Sequence, residues 1–179
     1  MKINNLLIAL GLVTFVIIAR LLPHPANFAP VAAVALFAGV YFSGRLALAL
    51  PIVAMLLSDF LLGFYDWRLM SVVYFSFAVV GLIGRLIKKQ KNVLTVITGS
   101  LAGSLLFFIA TNLAVWLFAD HYAKDWSGLM TAYTLAIPFF RQTVAGDLFY
   151  AGLFFGSYEA AIYFYQRLVR RLASADYRH

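Results

Sequence analysis

Val93-Leu-Thr-Val-Ile-Thr-Gly-Ser-Leu-Ala-Gly-Ser-Leu-Leu-Phe-Phe-Ile-Ala-Thr-Asn-Leu-Ala-Val-Trp-Leu-Phe118 runs its whole length without a charged residue. A helix crosses the hydrocarbon of a bilayer with about 20 mostly apolar residues, and this stretch exceeds that. It has no polar stripe to turn toward water. Such a helix is at home only where its surroundings are apolar on every side, which lipid provides and a small water-soluble core does not. Working outward, Asn5–Leu22, Arg45–Phe64, Leu69–Ile87 and Gln142–Leu168 read as further spans. Pro30–Phe42 reads as a short helix reaching only about 20 Å at 1.5 Å per residue. It must be extended by its neighbours, sit in a thinned region or be re-entrant. A proline at its start suits a first turn whose N–H has no partner. Gly128–Phe140 is too short to cross alone and ends at Pro138, so it is expected as a lid or half-helix against the bundle. The fold expected is all-α: a polytopic transmembrane bundle of about six helices forming one domain over residues 1–179.

Composition points the same way. Of 179 residues, 64% are hydrophobic and 12% charged, with a mean hydropathy of +0.89. Soluble domains run at about 45–50% apolar and about 25% charged. The net charge of +7 would suggest nucleic acid in a soluble protein. Here the basic residues lie between apolar runs and at the ends, where they set topology and meet anionic lipid, so membrane lipids are the expected partner and nucleic acid is not. The absence of cysteine excludes disulfides, thiolate metal sites and cysteine nucleophiles. Met1-Lys2 before an apolar run imitates a signal peptide, but no small-x-small cleavage site precedes Arg20, so the segment is read as a retained first helix.

With the N-terminus in the cytoplasm and six crossings, Lys2, Arg45, Arg85, Lys88, Lys89, Lys91, Arg167, Arg170, Arg171 and Arg178 fall inside, and Arg20, Arg68, Lys124 and Arg141 outside. That bias is the positive-inside pattern, and it places both termini in the cytoplasm of a bacterial inner membrane. Trp67, Trp116 and Trp126 all fall toward the outer interface, where anchoring aromatics belong. No internal repeat of the kind many secondary transporters carry is evident.

Ionisable groups at membrane depth are expensive and are functional candidates by default. Asp59 lies roughly 21 Å from the cytoplasmic end of its helix, counted from Arg45, and Asn112 roughly 32 Å from Lys91. Asp147 is read roughly 9 Å inward from Arg141 on the last helix. Arg20, His24 and Asn27 sit at the outer end of helix one and in the loop after it. Polarity thus gathers in the outer half, and the inner half is apolar apart from small hydroxyls and Glu159, which is read as an interfacial group facing basic residues. A channel needs polar groups along its length, and a proton relay needs titratable groups from face to face. A cavity opening outward over an apolar floor fits better, walled by aromatics among Phe28, Phe64, Tyr65, Tyr74, Trp116, Tyr133, Phe139, Phe140 and Tyr150.

The bland alternatives are specific too. Asp59 pairs with Arg20 or Arg141 to pin two helices, Asn112 makes an interhelical hydrogen bond, and His24, between Pro23 and Pro25, is an ordinary loop residue. Small residues recur at four-residue spacing in Ala29/Ala33, Gly99/Gly103, Ser100/Ser104 and Gly152/Gly156, which allows close packing inside the bundle or docking of another subunit. No phosphate-binding loop, HExxH or GxSxG motif is present. The chain therefore reads as no enzyme, with no catalytic residue, metal or cofactor assigned, and it cannot hydrolyse ATP itself.

Four motifs carry a resemblance. Arg20-Leu-Leu-Pro-His-Pro-Ala-Asn-Phe-Ala-Pro-Val-Ala-Ala33, Ser58-Asp59 with Gly63-Phe64, Thr111-Asn112-Leu113-Ala114-Val115-Trp116, and Pro138-Phe139-Phe140-Arg141 with Gly146-Asp147 resemble the signature of an uncharacterised family of small bacterial membrane proteins. More broadly, the pattern is similar to the S-components of energy-coupling factor transporters. That resemblance implies six helices with cytoplasmic termini, a vitamin or metal ion bound from outside beneath closing loops, and an energising module docked on an Ala-x-x-x-Ala surface. Ala29-x-x-x-Ala33 is the nearest match to that surface, on the second helix rather than the first. A related cobalamin importer holds cobalt with a cysteine that this chain lacks. The expected function is a substrate-binding membrane subunit for uptake of a small vitamin-like solute. Arg20, His24, Asn27, Asp59, Asn112, Trp116, Arg141 and Asp147 would line or shape its site. The rivals are a structural or assembly subunit without ligand, and a membrane enzyme on a lipid or isoprenoid using His24 with Asp59 or Asp147.

Overall fold

The computed structural model describes residues 5–176, so Lys2 and Arg178 of the charge pattern, and the Met1-Lys2 start, lie outside the described residues. Six α-helices follow one another: α1 Asn5–Leu21, α2 Val31–Tyr41, α3 Leu46–Leu62, α4 Trp67–Ile87, α5 Val93–Phe118 and α6 Trp126–Asp176, with a short 3-10 turn at Lys88–Gln90. The described residues contain no strand. Two stretches, Trp67–Gln90 and Val93–Phe118, are long and apolar enough to cross a membrane, while α1, α2 and α3 are shorter apolar helices. The helices run alternately between an end marked by Trp67, Trp116 and Trp126, here the tryptophan end, and an end marked by Lys88, Lys89 and Lys91, the lysine end.

Local chemistry sets the boundaries. Asp66 caps α4 by accepting from the backbone N–H of Arg68 at 2.8 Å and of Leu69 at 3.4 Å. The Arg68 guanidinium, at 2.8 Å, and the Arg68 backbone hold the Asp66 carboxyl down to about 2. Asn92 and Thr95 form a reciprocal capping box at the start of α5. α3 ends at Gly63, whose φ of 101° carries the chain out of the helix.

The short α2 is the axle of the bundle. Every residue from Val31 to Val40 is buried, and the helix touches α1, α3, α4, α5 and α6. It is short because it packs inside the other five and has no need to reach either surface. Its tightest crossing is with α4. A Cβ on Gly39 would meet the Gly81 carbonyl oxygen and would come within 2.8 Å of Gly84 Cα. Ala33 is 1% exposed and packs inside the molecule, while the half-buried Ala29 lies in the loop before α2.

The last helix departs from the sequence reading. Gly128–Phe140 and Gln142–Leu168 are one continuous helix of 51 residues, roughly 76 Å long, with Pro138 inside it. A proline deletes one backbone hydrogen bond, but packing on either side holds the helix together. Tyr133 donates to the Ile109 carbonyl at 2.8 Å and the Phe140 ring lies 4.7 Å from Phe108. α6 runs antiparallel to α5 as far as Glu159, which pairs with Lys91 and accepts from Tyr41 at the lysine end. Beyond Glu159, α6 extends past α5 and is largely exposed through Arg171.

Candidate functional site

A cavity of about 300 Å³ opens at the tryptophan end. Its rim is the loop between α1 and α2. That loop turns at Pro25–Phe28, where the Phe28 N–H donates to the Pro25 carbonyl at 3.0 Å and Asn27 sits at φ 62°. Asparagine tolerates that left-handed conformation. His24, exposed between two prolines, directs Nδ1 to the Pro25 carbonyl at 2.8 Å; facing a carbonyl, that nitrogen carries a proton.

Arg20 enters from the end of α1, and its charge is already matched. Its Nη2 lies 2.7 Å from Asp59 Oδ1, with the two side chains 17% and 2% exposed. Its Nη1 donates to Ser58 Oγ. The second oxygen of Asp59 accepts from Tyr74 at 2.7 Å. Helices α1, α3 and α4 are thereby tied behind the cavity wall. Burial, and next the Asp59 carboxylate, pushes the loop residue Tyr65 up to about 12, so it lines the cavity as a neutral hydroxyl.

Asp147 faces the cavity from α6. It is 3% exposed, and its Oδ2 accepts from Ser104 of α5 at 2.6 Å. Gly146 beside it lets the loop approach, because a Cβ there would stand 3.2 Å from Phe28 Cα. Thr143, one turn earlier, also lines the cavity and donates to the Phe139 carbonyl at 3.0 Å. Phe77 and Phe107, stacked at 5.1 Å, form part of the apolar wall.

Arg20, His24, Asn27 and Asp147 of the expected set thus line one cavity, and Asp59 stands behind Arg20. The remaining three do not line it. Asn112 bonds its own helix, donating to the Phe108 carbonyl at 2.8 Å; its side chain makes no interhelical bond among the described residues. Trp116 donates to the Ala123 carbonyl at 2.9 Å, closing the α5–α6 loop. Arg141 is exposed on α6 away from the cavity. It is no loop residue, because α6 begins fifteen residues before it, at Trp126. The same continuity moves Asp147. Its partner Ser104 is fourteen residues, roughly 21 Å, from the α5 terminus at Phe118, so Asp147 lies past the middle of α5 and not near the tryptophan end. His24 hydrogen-bonds neither Asp59 nor Asp147. Among the described residues no cluster of metal-ligating side chains forms.

Sequence reading missed Thr143, Phe77 and Phe107. Thr143 was findable, since it precedes Asp147 by four residues and so shares its helix face. The two phenylalanines carry no sequence signal that separates them from packing aromatics.

A second, larger cavity of about 650 Å³ lies at the lysine end between α5 and α6, almost wholly apolar and bounded by Gly152, Gly156 and the Lys91–Glu159 pair. A Cβ on either glycine would meet nothing. Gly99, Gly103, Ser100 and Ser104, by contrast, are buried between helices.

No curated protein and no solved structure matches the chain. A family model does, over residues 1–170. The chain belongs to that family, DUF6580, a family of unknown function.

Proposed function

We propose that the chain is a multi-pass protein of the bacterial inner membrane, with the tryptophan end outside and both termini in the cytoplasm. In this reading its outer cavity binds a small solute for uptake, as the substrate-binding subunit of a transport system whose energy comes from a separate module. The observation that carries the reading is convergence. Arg20, His24, Asn27 and Asp147, far apart in sequence, meet in one cavity of about 300 Å³ with aromatic walls. That volume is at the small end for ligand sites, about 300–1,000 Å³. Below it the bundle is sealed by the buried α2 and by rings such as Phe37, Phe154 and Phe155. The outer surface supports membrane placement. Phe60 is 72% exposed, Phe75 69% and Leu86 80%, which water disfavours and lipid accepts.

A second reading, a structural subunit without ligand, has one observation in its favour: Arg20–Asp59 and Ser104–Asp147 both tie helices together. Native mass spectrometry of the full chain in mild detergent separates the two. The uptake reading expects a retained small solute that is lost in Ala29→Trp, which fills the cavity beside the rim, with the melting temperature preserved. Absence of any retained solute, together with no thermal shift across a panel of water-soluble vitamins, amines and carboxylates, leaves the structural reading standing.

A further inference from the structure

We infer that the solute taken by the outer cavity is a small organic cation, a protonated or quaternary nitrogen on a compact body; this rests on reading that cavity as a solute site. The first argument is charge balance. Arg20 is spent on Asp59 at 2.7 Å and on Ser58, and Asp59 has its remaining oxygen on Tyr74. Asp147 is as buried as Asp59, yet its one hydrogen-bond partner among the described residues is the neutral Ser104 hydroxyl, and no cation pairs with it there. Among the described residues no buried side-chain oxygen or nitrogen is left without a partner, so the other Asp147 oxygen reaches the cavity space that this residue lines. Arg20 and Asp59 cancel one another, so an ionised Asp147 has no cation to balance it at the cavity. A buried carboxylate without a cation is costly to hold, and a cationic solute removes that cost as it binds.

The second argument is hydrogen-bond polarity. Thr143 has given its proton to the Phe139 carbonyl and His24 Nδ1 faces the Pro25 carbonyl. Both residues line the cavity with that donor already committed to a backbone carbonyl, which leaves the Thr143 oxygen as an acceptor beside Asp147. A site so rich in acceptors selects a ligand rich in donors. The third argument is the wall. Tyr65, Phe77 and Phe107 line the same cavity, and aromatic faces attract cations. The volume of about 300 Å³, that of about ten waters, limits the body to a single small ring or its equivalent.

The test uses the full chain in nanodiscs with three probes of one shape: benzylammonium, benzyl alcohol and benzoate. Saturation-transfer NMR and thermal shift rank them. The inference expects benzylammonium to bind at least about tenfold more tightly than either of the others. It expects Asp147→Asn to erase that preference while Thr143→Val weakens it. Preferred binding of benzoate, abolished by Arg20→Gln, overturns the inference and leaves the solute site intact. Equal binding of the alcohol and the ammonium does the same, assigning Asp147 the protonated, neutral form. Failure of all three probes, and of every member of the vitamin, amine and carboxylate panel, removes the solute site itself. Where Asp147→Asn does not fold, the ranking of the probes on the unaltered chain decides.

Discussion

Arg20 and Asp59 hold opposite charges in a place where neither could stand alone. The Arg20 side chain is 17% exposed and the Asp59 side chain 2%, at 2.7 Å. Removing one member of such a pair costs about 3–5 kcal/mol because it strands the other, whereas replacing both with apolar residues of similar size is often nearly neutral. Arg20→Gln is therefore expected to lower the melting temperature in detergent sharply, and the double variant Arg20→Met/Asp59→Leu to recover most of the loss. If the double variant loses as much as the sum of the two single changes, the pair is not coupled and the wall it supports is held by other contacts. The pairing of Asp59 with Arg20 was one of two partners the sequence offered. It resolved in favour of Arg20 because Arg141 lies within α6, on an exposed face and not in an outer loop. Tyr74 and Ser58 complete the cluster; Ser58 was visible as a neighbour of Asp59, but a tyrosine fifteen residues on, across a turn, was not.

Between elements, contact distance separates glycines that sequence cannot. Gly39 and Gly84 stand where α2 and α4 cross, each without room for a Cβ. Gly39→Ala is expected to force the two backbones apart at a cost of about 1–3 kcal/mol. Gly152→Ala, facing the open groove at the lysine end, is expected to be neutral or stabilising by up to about 1 kcal/mol, since alanine is the better helix former. Equal destabilisation by both, read from chemical or thermal unfolding in the same detergent, would show that the groove is filled by a partner or lipid. The four-residue spacing of small residues announced close packing but not which pairs were inside, because spacing fixes a face and only neighbours fix what covers it. Element boundaries followed the same logic. α4 and α5 were legible from the length of their apolar runs, while the join at Pro138 was not. A proline marks a possible break, and the packing of Tyr133 and Phe140 on α5 decided against it.

At the scale of the whole molecule, the all-helical, six-helix architecture was legible because hydropathy is a local property of the sequence. The depth of Asp147 was not, because depth depends on where α6 begins. With α6 starting at Trp126, Asp147 meets Ser104 roughly 21 Å, measured along α5, from that helix's end at Phe118. The proposed orientation rests on the Lys and Arg bias and is open to direct test. The chain has no cysteine, so single introduced thiols report without background. Asn27→Cys at the cavity rim should react with a membrane-impermeant maleimide on intact cells. Lys89→Cys at the opposite end, and Arg167→Cys on the exposed stretch of α6, should react only after permeabilisation. Protection of Asn27→Cys by benzylammonium but not by benzoate would join the topology to the charge of the cavity. Labelling of Lys89→Cys and Asn27→Cys from the same side would overturn the proposed passage of the bundle through the bilayer, and with it the proposed access of solute to the cavity.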